Sequence, residues 1–446
     1  MHLANRPASR MRWFLVFWLF VLGAVSYLDR VNISIAGSAL SEEYHLSQVQ
    51  LGSIFSAFLL GYAFFQTPGG WLAFKLGPRN VLTIGVVWWG IFTALTASLP
   101  STISGALTYL IVIRLLLGAG EAIIYPAANQ FVSQWIPSQE RGLANGLIFA
   151  GVGAGTAIAP IFATYLMIHY GWRSAFWASA VLGLVVGLVW YFAARDVPEE
   201  HPLVSPAELS YIQQYRITKS VANSTAVSLP DSTKDDDSFR LSWGEIASDR
   251  NVLAITSSYF CFGYVAWIFF SWFYIYLAKV RGLDLKTSAF YSTLPPLAIV
   301  VCSLGGGAIS DAITKSYGKR IGRCGLACLA LVLASVILVL GSHVASAPLA
   351  SVVLSGGVGA LYLAQSSYWS VTADIGGKSA GLVSGFMNMG GQLGGALTAW
   401  LTPVIAHRYG WTSSFLAAAI LSGIGGLAWL SVEPERRVVV AQQQSD

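Results

Sequence analysis

Apolar runs about as long as a bilayer is thick recur along the whole chain, and no other feature constrains its fold as strongly. WFLVFWLFVLGAVSYL, starting at Trp13, is the first of about twelve such runs. Each comes near the roughly 20 apolar residues a helix needs to cross the hydrocarbon core. Gly, Pro and charge punctuation place them near 13–37, 49–72, 81–99, 104–131, 142–168, 173–194, 250–278, 287–312, 322–342, 348–371, 380–406 and 411–432. Composition agrees: 55% of residues are hydrophobic and 11% charged, where soluble domains carry about a quarter charged residues. Barrel strands would alternate in short segments, and these runs do not. The 45 glycines fit helices that approach closely in lipid.

A repeat divides the runs in two. GLANGLIFAGVGAG (142–155) and GLVSGFMNMGGQLG (381–394) align at an offset of 239, matching Gly142, Leu143, Gly146, Gly151 and Gly155 with Gly381, Leu382, Gly385, Gly390 and Gly394. The register continues through YGWRSAF (170–176) and YGWTSSF (409–415). At a nearby offset of 236, Gly69 and Gly70 meet Gly305 and Gly306. The expected fold class is therefore all-α integral membrane, with twelve transmembrane helices in two six-helix halves. Parallel halves are the large-scale symmetry of secondary transporters, whose sites lie at their interface near the bilayer midplane. The expected division is 1–194 for the first half, 195–249 for a linker, and 250–446 for the second half with a short tail. The linker carries KDDD at 234–237, read as a solvated charge run. Its SPAEL (205–209) and SWGE (242–245) stretches have the pattern of helix capping boxes.

The net charge of +5 reflects topology and does not point to nucleic acid. On this reading 19 of the 26 Lys and Arg fall on one side, five on the other, and Arg30 and Arg114 within the membrane. The positive-inside rule puts both termini and the linker in the cytoplasm of a multi-pass protein of the cell's inner (plasma) membrane. Arg6, Arg10 and Arg12 precede a run too long for a signal peptide, so it reads as span 1. Cys261, Cys302, Cys324 and Cys328 lack CxxC spacing and clustered histidines, so neither a disulfide framework nor a metal site is expected. They read as packing residues.

Four charges lie deep in apolar runs: Asp29 and Arg30 in span 1, Arg114 and Glu121 in span 4. Mid-bilayer, each costs at least about 2.5–3.5 kcal/mol, so such groups face a polar cavity or one another. Asp29 and Arg30 are adjacent, point about 100° apart on a helix and must look to different neighbours. Arg114 and Glu121, seven apart in RLLLGAGE, share a face, with Gly118 and Gly120 leaving room for a partner or ligand. The four charges sum to zero. A carboxylate bound by Arg30 or Arg114 through paired hydrogen bonds makes the site negative, and a proton on Glu121 or Asp29 restores neutrality. One cavity could thus couple an anion to protons. Tyr27, Tyr62 and Tyr125 sit near the charges and could donate hydroxyl hydrogen bonds. In the second half, Trp272, Tyr276, Ser366, Ser367, Trp369 and Asn388 are candidates for the non-ionic end of a substrate.

These residues carry a resemblance. The layout resembles the major facilitator superfamily, and YLDRVNISIA, RLLLGAGEAIIYP and NMGGQLGG resemble its anion:cation symporter family. The resemblance implies an alternating-access importer of organic anions, commonly sugar acids such as galactonate, glucarate or hexuronates, driven by protons. It implies substrate-related roles for Arg30 and Arg114, proton coupling for Asp29 and Glu121, and binding for Tyr62, Tyr125 and Asn388. It also implies a cytoplasmic gate, for which Asp311, Lys75 and Arg79 are the candidates. The acid usual in the loop after span 2 is replaced by Phe74 in GWLAFKLGPRN, while Asp311 keeps the acid in the second half. FAGVGAG (149–155) lacks a Gln that some sugar-acid carriers place there. A drug exporter of the same fold is the alternative, against which two intramembrane arginines argue. No phosphate loop or HExxH appears, so an enzyme is not expected. No cofactor is expected, and the expected partners are a small organic anion, protons and lipid around a monomer.

Overall fold

The computed structural model describes residues 9–46, 48–103, 105–214, 243–273, 276–283 and 285–438. Twelve long helices carry it. The first six are α1 (Met11–Glu43), α2 (Gln48–Leu76), α3 (Pro78–Ala97), α4 (Ala106–Trp135), α5 (Arg141–Tyr170) and α6 (Trp172–Ala193). The second six are α7 (Arg250–Ser271), α8 (Leu294–Lys319), α9 (Leu326–His343), α10 (Ala347–Gly376), α11 (Ala380–Tyr409) and α12 (Trp411–Ala428). Among the described residues nine stretches are long and apolar enough to cross a membrane, and one of them, 290–343, holds both α8 and α9. α2 and α11, of 29 and 30 residues, complete the set. In lipid the backbone must satisfy its own hydrogen bonds, and helices do so within each segment.

Short joints fold the helices back on themselves. Gly77, Gly171 and Gly410, each at φ of 80–85°, connect α2 to α3, α5 to α6 and α11 to α12. This left-handed backbone suits glycine and strains other residues.

The sequence repeat is a repeat of helix contacts. A Cβ on Gly151 or Gly155 of α5 would overlap the carbonyl oxygens of Phe20 or Ala24 on α1. In the second half Gly390 and Gly394 of α11 meet Thr256 and Phe260 of α7 in the same way. The halves also join through glycine. Gly146 of α5 lies on the carbonyl of Ser303 in α8, and Gly385 of α11 on that of Gln66 in α2. One turn on, Gly307 abuts the Gly142 carbonyl and Gly70 abuts the Gly381 carbonyl. Without a hydrophobic drive between helices in lipid, such close backbone contact supplies the packing energy.

Helices α4 and α10, fourth in each half, are interrupted within their length. α4 breaks at Ala122–Ile123, just after Glu121, and α10 breaks at Ala364, just before Gln365. Pro126 accounts for the first break, because it cannot donate to the Ala122 carbonyl four residues earlier. The linker's SPAEL stretch begins a short helix over 206–214. Ser205 Oγ accepts from Glu208 N at 3.2 Å, as a capping box requires, but the Glu208 carboxylate turns to the start of α1. There it accepts from Met11 N at 3.1 Å and Arg12 N at 3.3 Å. SWGE yields Trp243–Ser248, while Ser242 and the KDDD run lie outside the described residues.

If close approach governs packing, Gly394→Ala lowers the thermal unfolding midpoint of the detergent-solubilised protein by about 3 °C or more, the usual cost of overpacking being about 1–3 kcal/mol. Gly305, with nothing within 4 Å of an added Cβ, is the control. Gly305→Ala should hold or raise the midpoint, because alanine favours helix.

Candidate functional site

Four charged side chains meet inside the first half. The Asp29 carboxylate accepts from the Thr93 hydroxyl of α3 at 2.7 Å, and Arg30 Nε donates to Glu121 of α4 at 2.6 Å. The two neighbours on α1 thus face different helices. The bound Glu121 oxygen also accepts from Ser26 Oγ at 3.2 Å. The Arg30 guanidinium lies 4.2 Å from the Tyr62 ring centre, 4.5 Å from Tyr27 and 5.3 Å from Phe58. Arg114 reaches the same Phe58 ring at 5.1 Å. Asp29, Arg114 and Glu121 are at most 2% exposed.

These contacts use part of the available hydrogen bonding. Both terminal nitrogens of Arg30, Nε of Arg114, one oxygen each of Asp29 and Glu121, and the Tyr125 hydroxyl are buried with no hydrogen-bond partner. Leaving such groups unpaired costs about 1–3 kcal/mol each, more when charged. Their gathering around one ion pair makes this the place where a polar ligand gains most. Gly118 and Gly120 do not provide its room. A Cβ on Gly118 would strike the Phe58 carbonyl of α2, and one on Gly120 the Trp88 indole of α3. Protein therefore fills the space that the sequence left open to a partner or a ligand.

Beside the cluster lies a central cavity of about 40 Å³ between the halves. Tyr27, Tyr62 and Tyr125 line its first-half side; Tyr259, Gln365, Trp369 and Asn388 line the other. This volume has room for only a few water molecules and is far below the roughly 300–1,000 Å³ of small-molecule pockets. The site is contracted in this conformation. Arg30 stands behind the Tyr27 and Tyr62 rings and is not itself a lining residue.

Four expected residues are not brought to this cavity. Trp272 and Tyr276 follow the end of α7. Tyr276 packs on Phe415 and Trp411, and its hydroxyl accepts from Arg281 Nε at 2.6 Å, while the Trp272 ring lies 6.4 Å from that of Trp411. Ser366 and Ser367 are fully buried elsewhere, Ser367 Oγ lying 3.5 Å from Ser310 of α8. The helical angle explains this. Gln365 and Trp369, four apart, share the cavity face, and the two serines are turned about 100° and 200° from Gln365. Gln365 and Tyr259 went unnoticed in the sequence, as did Gln66, whose Oε1 accepts from Asn388 Nδ2 at 2.9 Å across the halves. An amide in an apolar run, four residues before Trp369, was the available signal.

The terminal face, where α1 begins and α12 ends, is sealed by polar contacts across the halves. Asp311 of α8 accepts from Gly142 N at 2.9 Å and Leu143 N at 2.6 Å, capping α5, and pairs with Arg323 at 2.6 Å. The open N–H groups and dipole at a helix start favour a carboxylate. Asp374 of α10 joins Arg141 of α5, at 2.5 Å, to Lys319. At the start of α11, Gly381 N donates to the neutral Gln130 Oε1 of α4 at 2.9 Å. Lys75 and Arg79 are not part of this seal. Lys75 lies over Trp71, and Arg79 lies over Tyr191 while its backbone N–H meets Asp196, so these partners belong to the first half and the start of the linker. Phe74 lines a separate cavity of about 540 Å³, with Gln130, Arg141 and Asp374.

Comparison with known proteins matches this architecture. The Major Facilitator Superfamily model matches residues 19–399. The probable sulfoacetate transporter SauU of Cupriavidus necator is 34% identical over 412 residues, covering 92% of this chain and 91% of that protein. The probable galactarate/D-glucarate transporter GudP of Escherichia coli is 30% identical over 433 residues, covering 94% and 92%. Among solved structures, the proton:xylose symporter XylE bound to 6-bromo-6-deoxy-D-glucose superposes with a TM-score of 0.72 at 14% identity, covering 93% of this chain and 94% of that one. At that identity the likeness shows the fold alone. The matched model and the relatives that share nearly its full length make this chain a member of the Major Facilitator Superfamily, a transporter and not an enzyme.

Proposed function

We propose that this transporter imports an organic carboxylate together with protons, by alternating access. The observation that carries the reading is the state of Arg30: Nε is spent on Glu121, and both terminal nitrogens are buried and unpartnered between aromatic rings. A carboxylate matches that planar pair of donors through two parallel hydrogen bonds. Arg114, on the same Phe58 ring, provides a second positive charge. The relatives' names, a sulfoacetate carrier and a galactarate/D-glucarate carrier, support an organic anion.

Proton coupling follows from the charge count. Binding one carboxylate leaves the site with excess negative charge. Weakening the Arg30–Glu121 pair then favours a proton on Glu121 or Asp29, each of which has one unpartnered oxygen. An inside-negative potential opposes an entering anion by about 2.3 kcal/mol per charge per 100 mV, which one proton cancels for a monoanion. The bias of Lys and Arg supports placing the terminal face in the cytoplasm of a plasma-membrane protein. Alternating access then requires the Asp311, Asp374 and Gln130 contacts to part as the opposite side closes. The cavity lies between the two halves of one chain, which supports a monomeric working unit.

In proteoliposomes, Glu121→Gln is expected to keep substrate exchange and to lose accumulation driven by a pH gradient. Normal uphill uptake by that variant would remove Glu121 from the coupling step. Arg30→Ala should weaken binding of the transported acid by at least about thirtyfold, measured by calorimetry on the purified protein. Unchanged affinity would place the anion elsewhere. Asp311→Asn should speed alkylation of a cysteine introduced at Gln365, in a background without the four native cysteines, from the terminal side. An unchanged rate would show that the seal does not depend on that carboxylate.

A further inference from the structure

All four buried charges of the site lie on α1 and α4, Arg30 against the Tyr27 and Tyr62 rings that line the first-half wall of the cavity, and the second half brings no charge to the opposite wall. The second half contributes aromatic rings, among them Tyr259, Trp267 and Trp369, and the amides of Gln365, Asn388 and Gln392. No charged side chain from that half lines the cavity among the described residues. Two of the amides have hydrogen-bonding capacity left. Gln365 is 2% exposed; its Nε2 donates to the Tyr259 hydroxyl at 3.0 Å, and its Oε1 is buried with no partner. Gln392 Oε1, one turn beyond Asn388 on α11, is likewise buried and unpartnered. Asn388 is held by Gln66, so it is oriented by the first half.

We infer that Gln365 and Gln392 determine specificity, and that the site selects a polyhydroxylated monoanion over an acid with an anionic group at each end. This rests on the organic-anion reading above and goes further, to the class of acid. A ligand that bridges the halves places its carboxylate against Arg30. Its far end then meets amide oxygens, ring faces and one neutral donor, the unpartnered indole N–H of Trp369. Hydroxyl groups donate to those oxygens, and C–H faces pack on the rings. A second carboxylate at that end would lose its hydration opposite acceptor oxygens, with no cation to replace the water. An unsubstituted alkyl chain would leave the amides buried and unpaired, the situation that polar sites penalise most strongly. Charges placed against the first-half wall only, with amides on the other, thus read out both ends of the ligand.

The test uses the purified full-length protein and four probes in calorimetric titration: D-gluconate, D-glucarate, hexanoate and sulfoacetate. The expected order has gluconate binding at least about tenfold more tightly than each of the others. Gln365→Leu and Gln392→Leu, made separately, should each reduce that preference over hexanoate, by weakening gluconate binding while hexanoate affinity holds or rises. Because the ranking is first measured on the wild-type chain, a variant that fails to fold does not decide the outcome. Glucarate or sulfoacetate binding as tightly as gluconate, with the dependence on Arg30 intact, overturns this inference and leaves the organic-anion reading standing. Binding of none of the four by folded wild-type protein overturns both.

Discussion

Inside a bilayer no water is available to a polar group that lacks a protein partner, and that shortage organises this molecule at every scale. It makes the backbone helical, because only helices settle their own hydrogen bonds segment by segment. It directs the helices to pack by close contact of small residues, as Gly155 does on Ala24 and Gly394 on Phe260. It sends Arg30 to Glu121 and Asp29 to Thr93. Among the buried polar atoms that remain unpaired, the ends of Arg30 and single oxygens of Asp29 and Glu121 lie together around one ion pair.

The two halves share a scaffold and differ in chemistry. Their α1–α5 and α7–α11 contacts are made by repeat-related glycines, and both fourth helices are broken within their length. Yet the break in α4 follows a carboxylate, Glu121, and the break in α10 precedes an amide, Gln365. The symmetry provides the interface between halves; the asymmetry puts a charge cluster on the first-half side of that interface and amides on the other. The terminal-face seal is uneven in the same way. An ionised acid caps α5 and a neutral amide caps α11, so separating the halves there means undesolvating one charge-rich contact and one weaker contact.

Much of this was legible in the residues. Hydropathy marks the spans, because a bilayer imposes a length and a solvent on each helix independently of its neighbours. The offset of 239 exposes the two-half organisation, and the adjacency of Asp29 and Arg30 predicts that they serve different partners. The cavity-facing role of Tyr27, Tyr62, Tyr125, Trp369 and Asn388 was also within reach, since each sits at the depth of the charges. Other candidate residues lie away from the cavity or the seal for identifiable reasons. Trp272 and Tyr276 lie past the last turn of α7, and helix ends are the least certain feature of a hydropathy pattern. Ser366 and Ser367 lie on the wrong side of a helix whose rotation is set after its break at Ala364. The side chains of Lys75 and Arg79 lie over rings of their own half, and a motif alone does not reveal which partner a long side chain takes.

The sequence by itself determined that this chain crosses a membrane repeatedly, that it is built twice over, and that it carries four charges where charges are costly. Those are properties of local composition and spacing, which the solvent reads one segment at a time. The tertiary structure decided which charges pair, which glycines are filled by protein, and that Gln365, Tyr259 and Gln66 belong with the site. Such facts depend on the rotation and depth of each helix against the others. Contacts separated by as many as 322 residues fix them, and no local pattern encodes a distance between helices.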